Sequence, residues 1–379
     1  MRIVLILVIA IHGIIHLFGF LKAFGLSDFS GISRPISKPF GLLWLSVFLL
    51  LAFTAILLSK QSSYWRIVGI SGVIVSQILV TIYWSDAKFG TLLNIIILVS
   101  ILLAYSTFRF QSTVRAETIG VFMNSRSSGK KILTSPMISN LPPIVQKWLN
   151  YTNVIGKEMV HHVYLEQDLQ MLMRPGQKEW SKAKAKQYFT VEPPAFIWSV
   201  DLKMNPWLKV VGRDKFENGQ GEMTIKMLSF LSMACVKDNV NVNQATLQRY
   251  LAETVWFPSA VLSPYIKWKP INDTTAEATM SYNGTQGSGE FHFDKTGYFK
   301  KFVAMRYKEA NDTIPKEWTV TAIKTEERSG IKIPVGLQAD WKLADSTWTW
   351  LKLKISNIEY NPKATPMTDN EKKTTPSPI

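Results

Sequence analysis

The sequence is poor in several things, and each absence narrows what it can be. It has one cysteine, Cys235, in 379 residues. No internal disulfide can form, so folding does not depend on an oxidising compartment. Zinc sites built from several cysteines are excluded with it. Acidic residues are scarce over the first 110 positions, where only Asp28 and Asp86 stand against eight lysines and arginines. The local patterns of common hydrolases are missing too: there is no G-x-S-x-G, no H-E-x-x-H and no locally spaced carboxylate pair. Nor does 111–379 hold a basic block interleaved with aromatics, the footprint of nucleic-acid binding. That half carries 35 Lys/Arg against 26 Asp/Glu. A domain held beside anionic lipid headgroups accounts for such a basic lean.

What the chain does have is long apolar runs. Ile3–Leu21, Phe40–Ser59, Ile67–Trp84 and Thr91–Phe108 are each about 18–20 residues, the length that crosses a hydrocarbon core as helix. Trp44, Tyr64, Trp65, Tyr83, Trp84 and Tyr105 lie near their ends, where an aromatic belt belongs. The first run has no small-residue cleavage site and three more follow, so it reads as an anchor and not a signal peptide. Four spans return the chain to its starting side. That side holds Arg2, Lys60, Arg66, Arg109 and Arg115, with Arg126, Lys130 and Lys131 just beyond, against Lys22, Arg34, Lys38 and Lys88 opposite. The positive-inside rule then predicts an inner-membrane protein with its soluble half in the cytoplasm.

Ionisable residues inside spans are site candidates by default. His12 and His16 are one helical turn apart on a single face. They could ligate a metal or haem, or could hydrogen-bond across the bundle as neutral imidazoles beside Gly13 and Gly19. Spans two to four contain neither His nor Met to complete a haem site, and no cofactor or metal is assigned. Asp86 and Lys88 sit at the membrane edge in Trp84–Thr91, facing solvent or the bundle mouth. Polar residues around Gly90-Thr91 would cap the fourth span there.

Residues 111–140 show no sustained period and read as a linker, with Leu141–Leu149 as a short amphipathic helix after it. From about 156 the period becomes 2. Trp180–Val191 alternates with lysines on one face, and Asn218-Gly219 and Asn283-Gly284 signal hairpins. About ten antiparallel strands follow in sequential hairpins. One helix-like segment, Leu247–Leu262, interrupts them. Leu247, Tyr250, Leu251, Thr254 and Val255 mark its apolar face, Arg249 and Glu253 pair along another, and Pro258 stops it after Trp256-Phe257. The tail from Asn361 reads as disordered. The expected architecture is a four-helix transmembrane domain (1–110) and an α+β soluble domain (141–360). In the latter a large curved antiparallel sheet, open or a partial barrel, is covered by a helix near 245–262.

Gly284–Gly289 joins two strands, which makes it a hairpin and not a phosphate cradle. His161 and His162 point to opposite faces of a strand and cannot chelate together. Ser259 follows a proline, with no nearby histidine to activate it. Ten of the thirteen tryptophans fall in the soluble half: 148, 180, 198, 207, 256, 268, 318, 341, 348 and 350. They fill a large core or line an apolar cavity. Arg213-Asp214 and Arg249/Glu253 form either a buried structural ion network or an acid–base pair.

Several stretches are recognisable together. His12-Gly-Ile-Ile-His-Leu-Phe-Gly-Phe-Leu-Lys-Ala-Phe24, Pro35-Ile-Ser-Lys-Pro39 and Trp84–Thr91 resemble an uncharacterised group of bacterial multi-pass membrane proteins. Met173-Arg-Pro-Gly, Pro193-Pro-Ala-Phe-Ile-Trp198, Gly212-Arg-Asp214, Leu247–Glu253 and Trp256-Phe-Pro-Ser-Ala260 resemble the soluble domain of that same domain-of-unknown-function family. The resemblance spans nearly the whole chain and implies no activity. In outline, a curved sheet with a helix is also similar to bacterial lipoprotein-carrier domains, which hold acyl chains.

The expected function is therefore a membrane-anchored domain that binds a lipid or other apolar small molecule under a helical lid. Its ligand-binding residues would be Trp180, Trp198, Arg213, Asp214, Arg249, Tyr250, Glu253, Trp256 and Phe257, with His12, His16, Asp86 and Lys88 as a polar site in the membrane. The bilayer is the expected partner and nucleic acid is not; oligomeric state is left open. The alternatives are an enzyme using Glu253 or Asp214 on a membrane-derived substrate, and a structural or sensory protein.

Overall fold

The computed structural model describes residues 2–27, 31–125, 129–204 and 208–363. Trp207, Arg126 and the tail beyond 363 lie outside the described residues. The chain divides into two compact units, one up to Phe110 and one beginning at Gln111.

The first unit is helical. α1 (Arg2–Ala23), α2 (Lys38–Ser59), α3 (Trp65–Ile82) and α5 (Gly90–Asn124) are long and apolar enough to cross a membrane, and α4 (Trp84–Ala87) is a single turn between the last two. Their outward faces keep apolar residues uncovered, among them Leu7, Ile11, Leu49, Phe53, Ile74 and Ile78. Such a surface needs an apolar surround. Small residues let α1 and α2 approach closely. A Cβ on Gly19 would fall 2.2 Å from the Trp44 ring, and one on Gly13 would lie 3.3 Å from Leu51.

The part of α5 from Gln111 belongs to the second unit. The stretch read as a linker (111–140) is thus helical as far as Asn124. Val114, buried Thr118 and Val121 repeat at helical spacing, and the two valines pack on Ala195 and Ile197. Charged and polar neighbours dilute that short stripe in the sequence. Leu133, fully buried, then pairs with the 156–157 backbone, and α6 (Pro143–Tyr151) sets Trp148 against Trp268, Phe291 and Phe293.

The rest is one open antiparallel sheet of 13 strands. In chain order these are β1 (His162–Met171), β2 (Ser181–Thr190), β3 (Ala195–Lys203), β4 (Lys209–Glu217), β5 (Gln220–Met227) and β6 (Leu231–Val236), then β7 (Ile266–Asn272), β8 (Thr275–Tyr282), β9 (Thr285–Phe293), β10 (Phe299–Arg306), β11 (Lys316–Arg328), β12 (Ile331–Lys342) and β13 (Thr347–Tyr360). The chain walks outward from β1 to one edge at β6. It then crosses over, re-enters at the other edge as β7 and walks back until β13 pairs with β1. β6 was not anticipated, because Leu231–Val236 is a short edge strand without alternating polarity.

The crossover contains the helix, α7. It runs Val240–Glu253 and continues as 3-10 turns at Thr254–Trp256 and Pro258–Leu262, so the expected 247–262 helix starts earlier and tightens after Glu253. Asn239 sets the start, its side chain accepting from the N–H groups of Asn241 and Val242, both at 3.0 Å. The polar first turns hide this beginning from a search for apolar spacing. α7 packs on β4 and β5 of one wing and on β8, β9 and β10 of the other, so the sheet curls round it. Two glycines permit that approach. A Cβ on Gly221 (β5) would lie 2.4 Å from Thr246 Oγ1 and 2.7 Å from the Val242 carbonyl, and one on Gly287 (β9) 2.7 Å from Gln248.

Candidate functional site

The curled sheet does not close completely on the helix. Between them lies a cavity of about 360 Å³, within the range of small-molecule sites. Strand alternation builds most of its wall: Trp198, Val200 and Leu202 of β3 face it, as do Trp318 and Val320 of β11. On β13 a register shift against β12 brings Leu351 and Leu353 to the same side as Trp348 and Trp350. Trp256 enters from the 3-10 turn after α7, its indole N–H donating to the Pro334 carbonyl at 3.0 Å.

One pole of this apolar space is charged. Arg249 donates from Nη1 to Asp214 Oδ2 at 2.7 Å and from Nε to Glu253 Oε1 at 2.9 Å. Its guanidinium also lies 4.7 Å from the Trp198 ring centre and 5.1 Å from that of Phe196. A hydrogen-bond chain continues behind it. Gln187 donates to Glu253 Oε2 at 2.7 Å, Gln167 to Gln187 at 3.3 Å and the Trp198 indole to Gln167 at 2.8 Å. Burial pushes the Asp214 and Glu253 carboxyls up, against the pull of Arg249, while the two carboxylates hold Arg249 above its ordinary value.

A second guanidinium, Arg306 of β10, faces the same space. It donates from Nε to the Ala245 carbonyl of α7 at 2.9 Å and lies 4.5 Å from the Trp318 ring centre and 5.6 Å from that of Trp341. Burial and the neighbouring Arg249 lower its pKa to about 10, which leaves it charged at neutral pH.

Five of the nine residues expected to bind ligand line the cavity: Trp198, Asp214, Arg249, Glu253 and Trp256. Tyr250 and Phe257 are buried behind it around Phe189, with the Tyr250 hydroxyl donating to the Thr190 carbonyl at 2.9 Å. Trp180 is half-buried outside it under Lys352. Arg213 is on the other face of β4, bonded to Glu117 at 3.0 Å and Glu222 at 2.9 Å. Neighbours on a strand point to opposite faces, so Arg213 and Asp214 could not share one site. Arg306, Gln167 and Gln187 were missed. For Arg306 a signal existed: it follows Phe302 and Ala304 at period 2, a cation on the core-facing side of its strand.

In the helical unit His12 and His16 meet α3 and α5. His12 Nε2 donates to Asn94 Oδ1 at 2.8 Å, and Ser76 donates to His16 Nε2 at 3.0 Å while His16 Nδ1 donates to the His12 carbonyl at 3.0 Å. Both His16 nitrogens are therefore occupied within the bundle, while His12 Nδ1 has no partner among the described residues. Asp86 and Lys88 diverge. Asp86 accepts from the backbone N–H and hydroxyl of Ser33, each at 2.9 Å, and Lys88 lies over the Phe89 ring.

The sheet, α7 and the cavity all fall inside residues 139–360, which match a family model described as a family of unknown function, DUF6920. The chain belongs to that family. The DUF6920 match leaves α1–α5 outside it. No curated protein matches the chain. Among solved structures, the crystal structure of a LolA superfamily protein from Nitrosomonas europaea is similar at 8% identity and a TM-score of 0.30, over 58% of this chain and 92% of that one.

Proposed function

We propose that this is a membrane-anchored domain that binds a lipid or other apolar ligand in the cavity between sheet and α7. The cavity itself carries the reading: about 360 Å³ of space walled by six tryptophans. Interiors otherwise close-pack, and aromatic side chains left lining open space have retained it for an occupant. The four apolar helices supply the anchor and α7 the lid. Delipidated full-length protein is expected to bind a fluorescent fatty-acid probe, and Trp198→Ala or Trp256→Ala to weaken that binding about tenfold. Failure of every apolar probe to bind would overturn the proposal. By its flanking charges the domain is on the cytoplasmic side, which protease shaving of intact cells tests.

One observation favours a second reading. Asp214 and Glu253 both line the cavity with their carboxyls pushed up by burial, as an acid–base catalyst acting on a membrane-derived substrate requires. Ordinary values for both in an NMR titration would remove it.

A further inference from the structure

The charged pole of the cavity is unevenly satisfied. Asp214 and Glu253 are both taken by Arg249, and Glu253 by Gln187 as well. Arg306 is not so engaged. A guanidinium has five N–H donors, and Arg306 gives one of them, Nε, to the Ala245 carbonyl. No carboxylate among the described residues comes within ion-pair distance of it, and its other donors have no acceptor there. Its guanidinium carbon lies 4.5 Å from the Trp318 ring centre and 5.6 Å from that of the paired Trp341, contacts that hold the side chain without using a single N–H. A cation held in place by aromatic faces, with its paired N–H edge free, has the geometry that takes a carboxylate or phosphate through two parallel hydrogen bonds. Val320, Leu337 and Trp348 line the same space, and the other charges near Arg306 on its own segment, Lys308 and Glu309, pair with each other at 2.7 Å.

Resting on the cavity as a lipid site, we propose that its ligand is an amphiphile with an anionic headgroup, carboxylate or phosphate, which Arg306 receives while the acyl chain lies along the tryptophan wall. The headgroup then completes the donors that the fold leaves open. Asp214 and Glu253 make their hydrogen bonds to Arg249 and none to Arg306, so its terminal N–H groups stay open to the headgroup. The same two carboxylates make the pole unfavourable for an anion that cannot reach Arg306, so the position of the headgroup is specified as well as its charge.

The test uses the full chain, delipidated and held in amphipol, with Nile red as a neutral reporter of the cavity. Nile red is displaced by palmitate, by palmitate methyl ester or by dipalmitoyl phosphatidate. Wild type is expected to bind palmitate or phosphatidate at least tenfold more tightly than the ester. Arg306→Met, which keeps an apolar stem against the tryptophans, should lose that preference, read as the ratio of acid to ester binding within the variant. Arg306→Lys should recover part of it. Preference for palmitate names a free fatty acid as the source of the anion and preference for phosphatidate a phospholipid headgroup; either supports the proposal. Equal binding of acid and ester in wild type, or an unchanged preference in Arg306→Met, overturns the anionic headgroup and leaves the apolar cavity standing. If Nile red itself does not bind wild type, the lipid-site reading falls and the headgroup falls with it. Should Arg306→Met fail to bind Nile red, the comparison of acid with ester in wild type and Arg306→Lys decides.

Discussion

Arg249 holds two carboxylates at once, and the balance among the three groups has consequences that can be measured. Burial alone drives Asp214 and Glu253 upward, and the guanidinium opposes it. Arg249→Met would leave Asp214 without its ion-pair partner and Glu253 with Gln187 alone, which costs about 3 kcal/mol near neutral pH. The pH dependence has a definite sign. A carboxyl whose folded pKa lies above its unfolded one keeps more protons bound when folded, so its contribution is lost as pH rises from the ordinary carboxylate range and is regained as pH falls. Removing Arg249 raises both folded values further. The deficit in unfolding temperature of Arg249→Met relative to wild type should therefore be smaller at pH 5 than at pH 7. A deficit that grows on acidification would show that the acids are not held up by burial.

At the scale of elements, α7 is the piece on which the cavity depends, and two features seat it. The Asn239 cap satisfies the first N–H groups of the helix; Asn239→Ala is expected to cost about 1 kcal/mol. Gly221 admits the helix to β5, and an added methyl there meets the Val242 carbonyl, a backbone atom with no rotamer to escape through. Gly221→Ala should cost about 2 kcal/mol and weaken binding of an apolar probe, because the lid must lift. Thermal unfolding followed by tryptophan fluorescence checks both. An unchanged melting temperature and unchanged binding in Gly221→Ala would mean that the wing, and not the helix, gives way.

For the whole molecule, the decisive pairing is between β1 and β13. It joins two halves of the sheet that the chain builds separately, with Val163 opposite Tyr360 and Met171 opposite Leu351. Ending the chain after Lys342 would remove β13 and leave β1 and β12 as bare edges in what is now the middle of the sheet. Unpaired edges of that length recruit other chains. The truncated protein should be aggregated by size-exclusion chromatography; a monodisperse product would show that α7 alone can hold the halves together.

The sequence by itself determined the class of each part. Apolar runs of span length, lysines alternating along Trp180–Val191, Asn-Gly turns and the spacing from Leu247 to Val255 are local signals, legible because one residue's neighbours decide them. Trp198, Asp214, Arg249, Glu253 and Trp256 could be grouped from the sequence and line one cavity, since they come from strands next to each other or from the helical segment that covers them. Other things were decided only by tertiary structure. The register of β1 on β13 links residues nearly two hundred positions apart, and no periodicity encodes a partner at that distance. Whether the tryptophans close-pack or enclose space depends on how tightly the sheet curls round α7. That curl brings Gly221 and Gly287 against the helix from opposite wings, where a side chain would not fit. Arg306 entered the site for the same reason: its strand lies on the far wing, and only the curl brings it to face Asp214, Arg249 and Glu253.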